Sequence, residues 1–258
     1  MRKALLASVS AIALGCSVAL PAQAAPPTPM PMAWTGFYVG ANGGFAWGHS
    51  NTSLIHDVTG VPLFLNTTLA GTPALNPSGF IGGGQAGYNW QTGQWVFGFE
   101  TDFSGLNAKS DATISPFFSN KGANTVTWSS LYDWLFTTRL RGGFLIMPNW
   151  LLYATGGLAV THVNDSVTCT APATGCTAFG GGLIWSGTST LTGGVFGGGI
   201  ETMFLPNWSA RVEYLYSKFK DTSPSSTSLS GPNTVPPFFS FSHNLNLVRI
   251  AINYKLGG

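Results

Sequence analysis

Residues 80–103 read FIGGGQAGYNWQTGQWVFGFETDF, and parity divides them into two faces. Phe80, Ala86, Tyr88 and Trp90 share one side before the Thr92-Gly93-Gln94 break, with Gln85 and Asn89 opposite. After the break, Trp95, Phe97, Phe99, Thr101 and Phe103 oppose Val96, Glu100, Asp102 and Ser104. A period of two is that of a β-strand, and a short Gly-containing break is hairpin geometry. One face is an uncharged aromatic wall and the other carries the acids. The fold turns on whether that wall meets a protein core or lipid.

Working outward from this hairpin, the same alternation runs through residues 34–256 and yields eight strands. Phe37, Val39, Ala41, Phe45 and Trp47 oppose Tyr38 and Asn42 in the first. The second and third are the hairpin above. The fourth sets Trp134, Phe136, Thr138, Leu140 and Phe144 against Asp133, Thr137, Arg139 and Arg141, and the fifth sets Trp150, Leu152, Ala154, Leu158 and Val160 against Tyr153, Thr155 and Thr161. The sixth opposes Phe196, Ile200 and Phe204 to Glu201, and the seventh opposes Trp208, Ala210, Val212, Tyr214 and Tyr216 to Arg211 and Glu213. Val248, Ile250, Ile252, Tyr254 and Leu256 against Arg249, Asn253 and Lys255 make the eighth. Breaks at Thr92-Gly93-Gln94, Met147-Pro148-Asn149 and Pro206-Asn207 are short, whereas connections near 50–78, 106–125, 164–188 and 219–240 are long. Short turns at one end and long loops at the other are the pattern of outer-membrane barrels. The strings FIGGGQAGYNWQTGQWVFGFETDF and VFGGGIETMFLPNWSARVEYLY form a weak internal repeat, which shared hairpin chemistry explains as readily as duplication does.

A soluble β-sandwich would also alternate, and two placements separate it from a barrel. Trp34, Trp95, Trp150 and Trp208 each stand where a strand begins at the short-turn end, the level of an interfacial aromatic belt. The charges Glu100, Asp102, Asp133, Glu201 and Glu213, with Arg139, Arg141, Arg211, Arg249 and Lys255, all fall on the inward parity. Because a charge on the lipid face costs about 2–4 kcal/mol at mid-bilayer, lipid exposure selects such segregation. Composition agrees: among 258 residues only 8% are charged, 13% are aromatic and 34 are glycine. A soluble surface usually carries about 25% charge. The sequence therefore predicts an all-β, closed, eight-stranded antiparallel transmembrane barrel in the outer membrane of a Gram-negative bacterium. An eight-stranded barrel has an interior that side chains just fill, so the ten charges read first as a structural plug and second as the lining of a narrow conduit.

The N-terminus sets the compartment. Basic MRK, an apolar stretch over residues 4–20 and Ala22-Gln23-Ala24 form a secretory signal cleaved after residue 24. Cleavage before Cys16, as in a lipoprotein, is the less favoured alternative. Residues 25–33 make a Pro-rich periplasmic lead-in, and 34–258 the barrel domain. Loss of Arg2 and Lys3 leaves nine basic against nine acidic residues, a balance that excludes a nucleic-acid partner.

WTGFYVGANGGFAWG, FIGGGQAGYNWQTGQWVFGFETDFSG, PNWLLYATGGLAV, PNWSARVEYLY and HNLNLVRIAINYKL resemble the small alphaproteobacterial outer-membrane immunogenic or porin-family proteins. The resemblance covers nearly the whole mature chain. It implies an eight-stranded barrel related to the transmembrane domain of outer-membrane protein A, with antigenic surface loops and no catalytic residues to carry over. Members usually end in an aromatic residue after Tyr-Lys, where this chain has Leu256 followed by two glycines. That strand is what the barrel-insertion machinery reads.

The remaining constellations are weaker. His49, His162 and His243 fall near the long-loop ends, but their spacing forms neither a catalytic nor a metal-binding motif, so no catalytic residue, metal or cofactor is expected. A rim-located hydrolase is the least favoured function, after a structural barrel with interaction loops and a small porin. Cys169 and Cys176 in the third long loop are expected to form a disulfide, given an oxidising compartment. Ser115-Pro116-Phe117-Phe118 and Pro236-Pro237-Phe238-Phe239 place apolar side chains in supposed loops, to pack together, to dip into lipopolysaccharide or to meet an external protein.

Overall fold

The computed structural model describes residues 34–56, 74–119, 122–170, 182–220 and 238–256. Eight antiparallel strands close into one ring in sequence order: β1 (Gly36–His56), β2 (Ser78–Thr92), β3 (Trp95–Ser119), β4 (Gly122–Met147), β5 (Trp150–Thr170), β6 (Gly182–Leu205), β7 (Trp208–Phe219) and β8 (Phe238–Leu256). Pairing of β1 with β8, from Phe37 opposite Leu256 to His56 opposite Phe238, removes the last free edge. The β2–β3, β4–β5 and β6–β7 turns are two residues long. Gly93 in the first has φ +60°, which a residue with a Cβ rarely adopts.

The aromatic wall faces outward around the ring. Phe80 is 77% exposed, Leu140 69% and Phe37, Ile250 and Leu158 nearly as much, so among the described residues nothing covers this hydrophobic surface. Along β5 this band spans residues 150–160, the roughly 9–11 residues that a tilted strand needs to cross a bilayer. Above it, the outward positions of β5 become polar at His162 and Asn164.

The long connections are shorter than expected, because the strands continue past the apolar band. β3 and β4 run on to Ser119 and Gly122, through much of the predicted 106–125 loop and including the backbone of Ser115-Pro116-Phe117-Phe118. Thr113 and Thr127 share a hydroxyl hydrogen bond of 3.1 Å across this extension. Its β-branched and hydroxyl residues keep strand propensity while losing hydrophobic contrast, which is why alternation alone ended the strands early.

Candidate functional site: the sealed lumen

The inward positions form layers along the barrel axis. At the turn end, Trp34, Val96, Leu145, Leu151 and Tyr153 pack together with Met203. Trp34 is therefore not the interface residue that the sequence reading predicts. It is 2% exposed, its indole Nε1 donates to the Pro148 carbonyl at 3.2 Å and its backbone N–H donates to Gln91. The reason is parity, since residue 34 is out of phase with outward-facing Phe37 and in phase with inward Tyr38. Trp95 and Trp208 do face outward, half-exposed, and Trp150 shares the outward parity of Leu152.

Next comes a charged layer of four acids and four arginines. Arg139 contacts Glu100, Asp102 at 3.0 Å and Glu213 at 3.1 Å. Arg249 spans the lumen to Asp102 at 2.9 Å and meets Glu213 at 2.5 Å. Arg211 binds both oxygens of Glu100, with Nη2 to Oε1 at 2.8 Å, and Arg141 meets Glu201 at 2.6 Å. All eight side chains are buried. The register explains two of these contacts directly, since Glu100 lies opposite Arg139 and Glu213 opposite Arg249 on neighbouring strands. Gly157 lies beside Arg139, and a Cβ there would collide with the Thr138 carbonyl and the Arg139 backbone. Confinement of this kind makes each carboxylate depend on its partners, because removing one member of a buried pair leaves an uncompensated charge.

Two tyrosines and an amide chain complete the layer and were not assigned to it from sequence. Tyr38 donates to Glu100 at 2.6 Å, Tyr153 donates to Glu213 at 3.1 Å, and the Arg141 guanidinium lies 4.1 Å above the Tyr153 ring. Ser104 donates to Asn42, Asn42 to Gln85, Gln85 to Asn253 and Asn253 to Glu201. Their inward parity was legible; the contacts across the lumen were not, because they depend on barrel closure.

Asp133 stands apart from the layer. Register shifts between Gly105 and Ala108 and between Tyr132 and Trp134 mark bulges. They change the inward parity of β4 from Leu135, Thr137 and Arg139 below to Tyr132 and Ser130 above. Asp133 sits at the change and accepts from Asn164 at 2.5 Å, with Thr188 donating to Asn164 at 2.8 Å. An extra residue in a strand re-aims its side chains, and unbroken alternation could not anticipate it. Lys255, half-buried at the turn-end mouth, lines a small recess with Trp34, Asn207, Ser209 and Asn253.

Above the charges lies an apolar layer: Ile81, Leu106, Leu135, Ala159, Leu191, Val195, Leu215, Leu245 and Leu247, all buried. Sequence reading named the inward charges and did not assign this layer. These residues share the parity of the arginines and acids below them, as the run Arg249, Leu247, Leu245 along β8 shows, so the signal was present but masked by the stronger outward pattern.

The three rim histidines do not converge. His49 contacts Asn76 at 2.7 Å, His162 stacks on Trp134 on the outer wall, and His243 lies inside the lumen. Among the described residues no group of three or more His, Cys, Asp or Glu side chains could hold a metal. Cys169 belongs to β5, but its side chain and Cys176 lie outside the described residues, as do the signal segment and lead-in.

A closed antiparallel ring with a lipid-compatible outer wall and a filled interior defines an outer-membrane β-barrel protein. The chain belongs to the family described as outer membrane protein beta-barrel domain, which it matches over residues 10–234. It is 30% identical over 266 residues to the 31 kDa outer-membrane immunogenic protein of Brucella melitensis, covering 99% of this chain and 100% of that one. To the 22 kDa outer membrane protein of Rhizobium leguminosarum bv. viciae it is 28% identical over 234 residues, covering 91% and 83%. Among solved structures it is similar to the Pseudomonas aeruginosa outer membrane protein OprG, with 11% identity, coverage of 88% and 100%, and a TM-score of 0.45.

Proposed function

We propose that this protein is a structural, non-conducting barrel of the outer membrane that presents its extended strand ends and loops at the cell surface. The observation that carries the reading is the triple closure of the lumen. Trp34 and its cluster fill the turn end, the arginine–carboxylate layer fills the middle, and the leucine-rich layer lies above. A water-filled path would have to pass the apolar layer, and narrow hydrophobic constrictions expel water. The buried acids and arginines are engaged with one another rather than aimed at a substrate space, which supports a non-enzymatic role. The apolar outer band meets lipid, and the polar strip above it, at His162, Asn164 and Asp133, stands at the level of the lipopolysaccharide head groups. The loops are the place for an external protein partner, and the last strand is the one the insertion machinery engages.

Single-channel recording on refolded mature protein in planar bilayers tests this. The expected result is no resolved steps. Reproducible, ion-selective steps would replace the structural reading with that of a small porin.

A further inference from the structure

From the turn end upward, the outer face of β7 reads Trp208, Ala210, Val212, Tyr214, Tyr216, Lys218 and then Lys220 just past the strand. The Lys220 N–H donates to the Thr192 carbonyl of β6 at 3.0 Å, so the ladder and its parity carry on to that residue. Apolar side chains give way to tyrosines and then to cations, the order of a strand leaving hydrocarbon for the head-group region. Both lysines are exposed, and among the described residues neither has an ion-pair partner. Lys109, exposed on β3 at the same end, differs in meeting Asp111 at 3.0 Å. Asp133, the remaining acid on the described outer wall, lies three strands away on β4.

Beside these cations the wall is bare. Gly194 of β6 lies opposite Lys218, is exposed, and a Cβ there would meet nothing within 4 Å. Its neighbours Gly193 and Gly197 face inward, where a Cβ would run into the backbone of β7, so their small size is explained by packing. Gly194 has no such reason. It leaves a shallow recess between Lys218 on one side and exposed Leu158 of β5 on the other. Phe196 and Tyr216, with ring centroids 5.1 Å apart, form an aromatic floor below it. Thr192 stands above Gly194 on β6, and Asn244 of β8 lies opposite Lys218.

We propose that this recess binds a phosphate-bearing glycolipid of the outer leaflet, with its phosphate between Lys218 and Lys220 and an acyl chain laid over Gly194 against Leu158 and Phe196. The site rests on the reading that the apolar outer band meets lipid. Alternate residues of a strand stand about 7 Å apart, and the flexible four-carbon stems let both ammonium groups close on one phosphate. Those stems also cover apolar wall while their charges stay in the polar layer. The Thr192 hydroxyl and the Asn244 amide supply hydrogen-bonding groups for sugar hydroxyls beside the charges. A free phosphate ion would gain only the two lysines, in water and screened by salt, whereas a lipid also gains the bare backbone and the aromatic floor.

Native mass spectrometry tests this, counting glycolipid retained by mature protein released from phosphatidylcholine nanodiscs doped with bisphosphorylated lipid A. Wild type is expected to retain lipid A, and Lys218→Gln with Lys220→Gln to weaken retention by about tenfold to thirtyfold. Gly194→Leu fills the recess without touching charge and is expected to weaken retention as well, while Lys109→Gln stays within about twofold of wild type. Dephosphorylated lipid A should bind wild type no better than lipid A binds the double lysine variant, and excess inorganic phosphate should not compete. Retention equal to wild type in the double lysine variant or in Gly194→Leu overturns the proposal. So does a loss in Lys109→Gln as large as in the double variant, or full retention of the dephosphorylated lipid. Competition by inorganic phosphate would reassign the lysines to a soluble anion and overturn the lipid site. Quenching of tryptophan fluorescence by brominated acyl chains in the same nanodiscs checks the lipid-facing wall separately. Quenching without lipid A preference overturns the site alone, and absent quenching overturns the lipid-facing wall and the site with it.

Discussion

Arg139 touches three carboxylates from two strands, and among the described residues no other side chain joins Glu100, Asp102 and Glu213 at once. Arg139→Ala leaves these acids short of a partner in a space without bulk water, at a cost of about 3 kcal/mol, the lower end of the range for broken buried pairs. Asp133 provides the contrast. On the outer wall beside Asn164 it has no ionic partner among the described residues, so Asp133→Asn is expected to shift stability by no more than about 0.5 kcal/mol. Urea unfolding of both variants from lipid vesicles measures the difference. Equal losses would mean that the bulge does not separate Asp133 from the network. At this scale the sequence was readable wherever phase was unbroken: Glu100, Asp102, Arg139, Arg141, Glu201, Arg211, Glu213 and Arg249 keep inward parity over their strands. Trp34 and Asp133 were misplaced because a strand-start Trp was read by its level rather than its phase, and because bulges leave no mark in side-chain type.

At the scale of the element, the strands have two parts with different environments. Their turn-end halves are lipid-facing outside and charged inside, and their loop-end halves turn polar outside while the interior passes through leucine. Leu215 and Leu247 lie opposite each other on β7 and β8 in that apolar layer. Replacing both with Asn places amides where the constriction is dry, which is expected to destabilise the barrel by about 2–5 kcal/mol and to raise ion leak through the outer half. Conductance and urea midpoint on the double variant check this, and an unchanged midpoint would show that the layer does not hold the lumen closed. The loop-end extensions also bear on Cys169, which lies on β5 close to the end of that strand. A Cys169–Cys176 bond would tie the following segment to the end of that strand. Mass spectrometry of a non-reduced digest is expected to find the joined peptide, and Cys169→Ser to leave barrel formation intact. Two alkylated thiols in protein taken from the outer membrane would exclude the bond.

For the whole molecule, closure of the ring is what converts eight marginal strands into one cooperative unit. Through the apolar band each strand pairs on both sides, β1 with β2 and β8, so the backbone hydrogen bonds there are met within the protein. In lipid or detergent there is no competing water along the apolar band, and opening any seam exposes unpaired N–H and C=O groups at several kcal/mol each. Salt bridges across the lumen, such as Arg249 on β8 with Asp102 on β3, resist flattening from inside. The folded barrel should therefore survive dodecyl sulfate at room temperature and run as a compact species, while boiling releases an extended chain. Unboiled mature protein is expected to migrate faster than the boiled sample, with a β-sheet circular-dichroism spectrum before heating. Ile250→Pro makes the test specific to closure. Ile250 lies in β8 between Gly43 of β1 and Val212 of β7, and proline there removes a ladder donor from the interior of a fully paired strand. That variant should lose the compact band under conditions where Asp133→Asn retains it. If Ile250→Pro instead kept the full mobility shift, the compactness would have to come from the lumen contacts alone, and the β1–β8 seam would not be what closes the fold in the membrane.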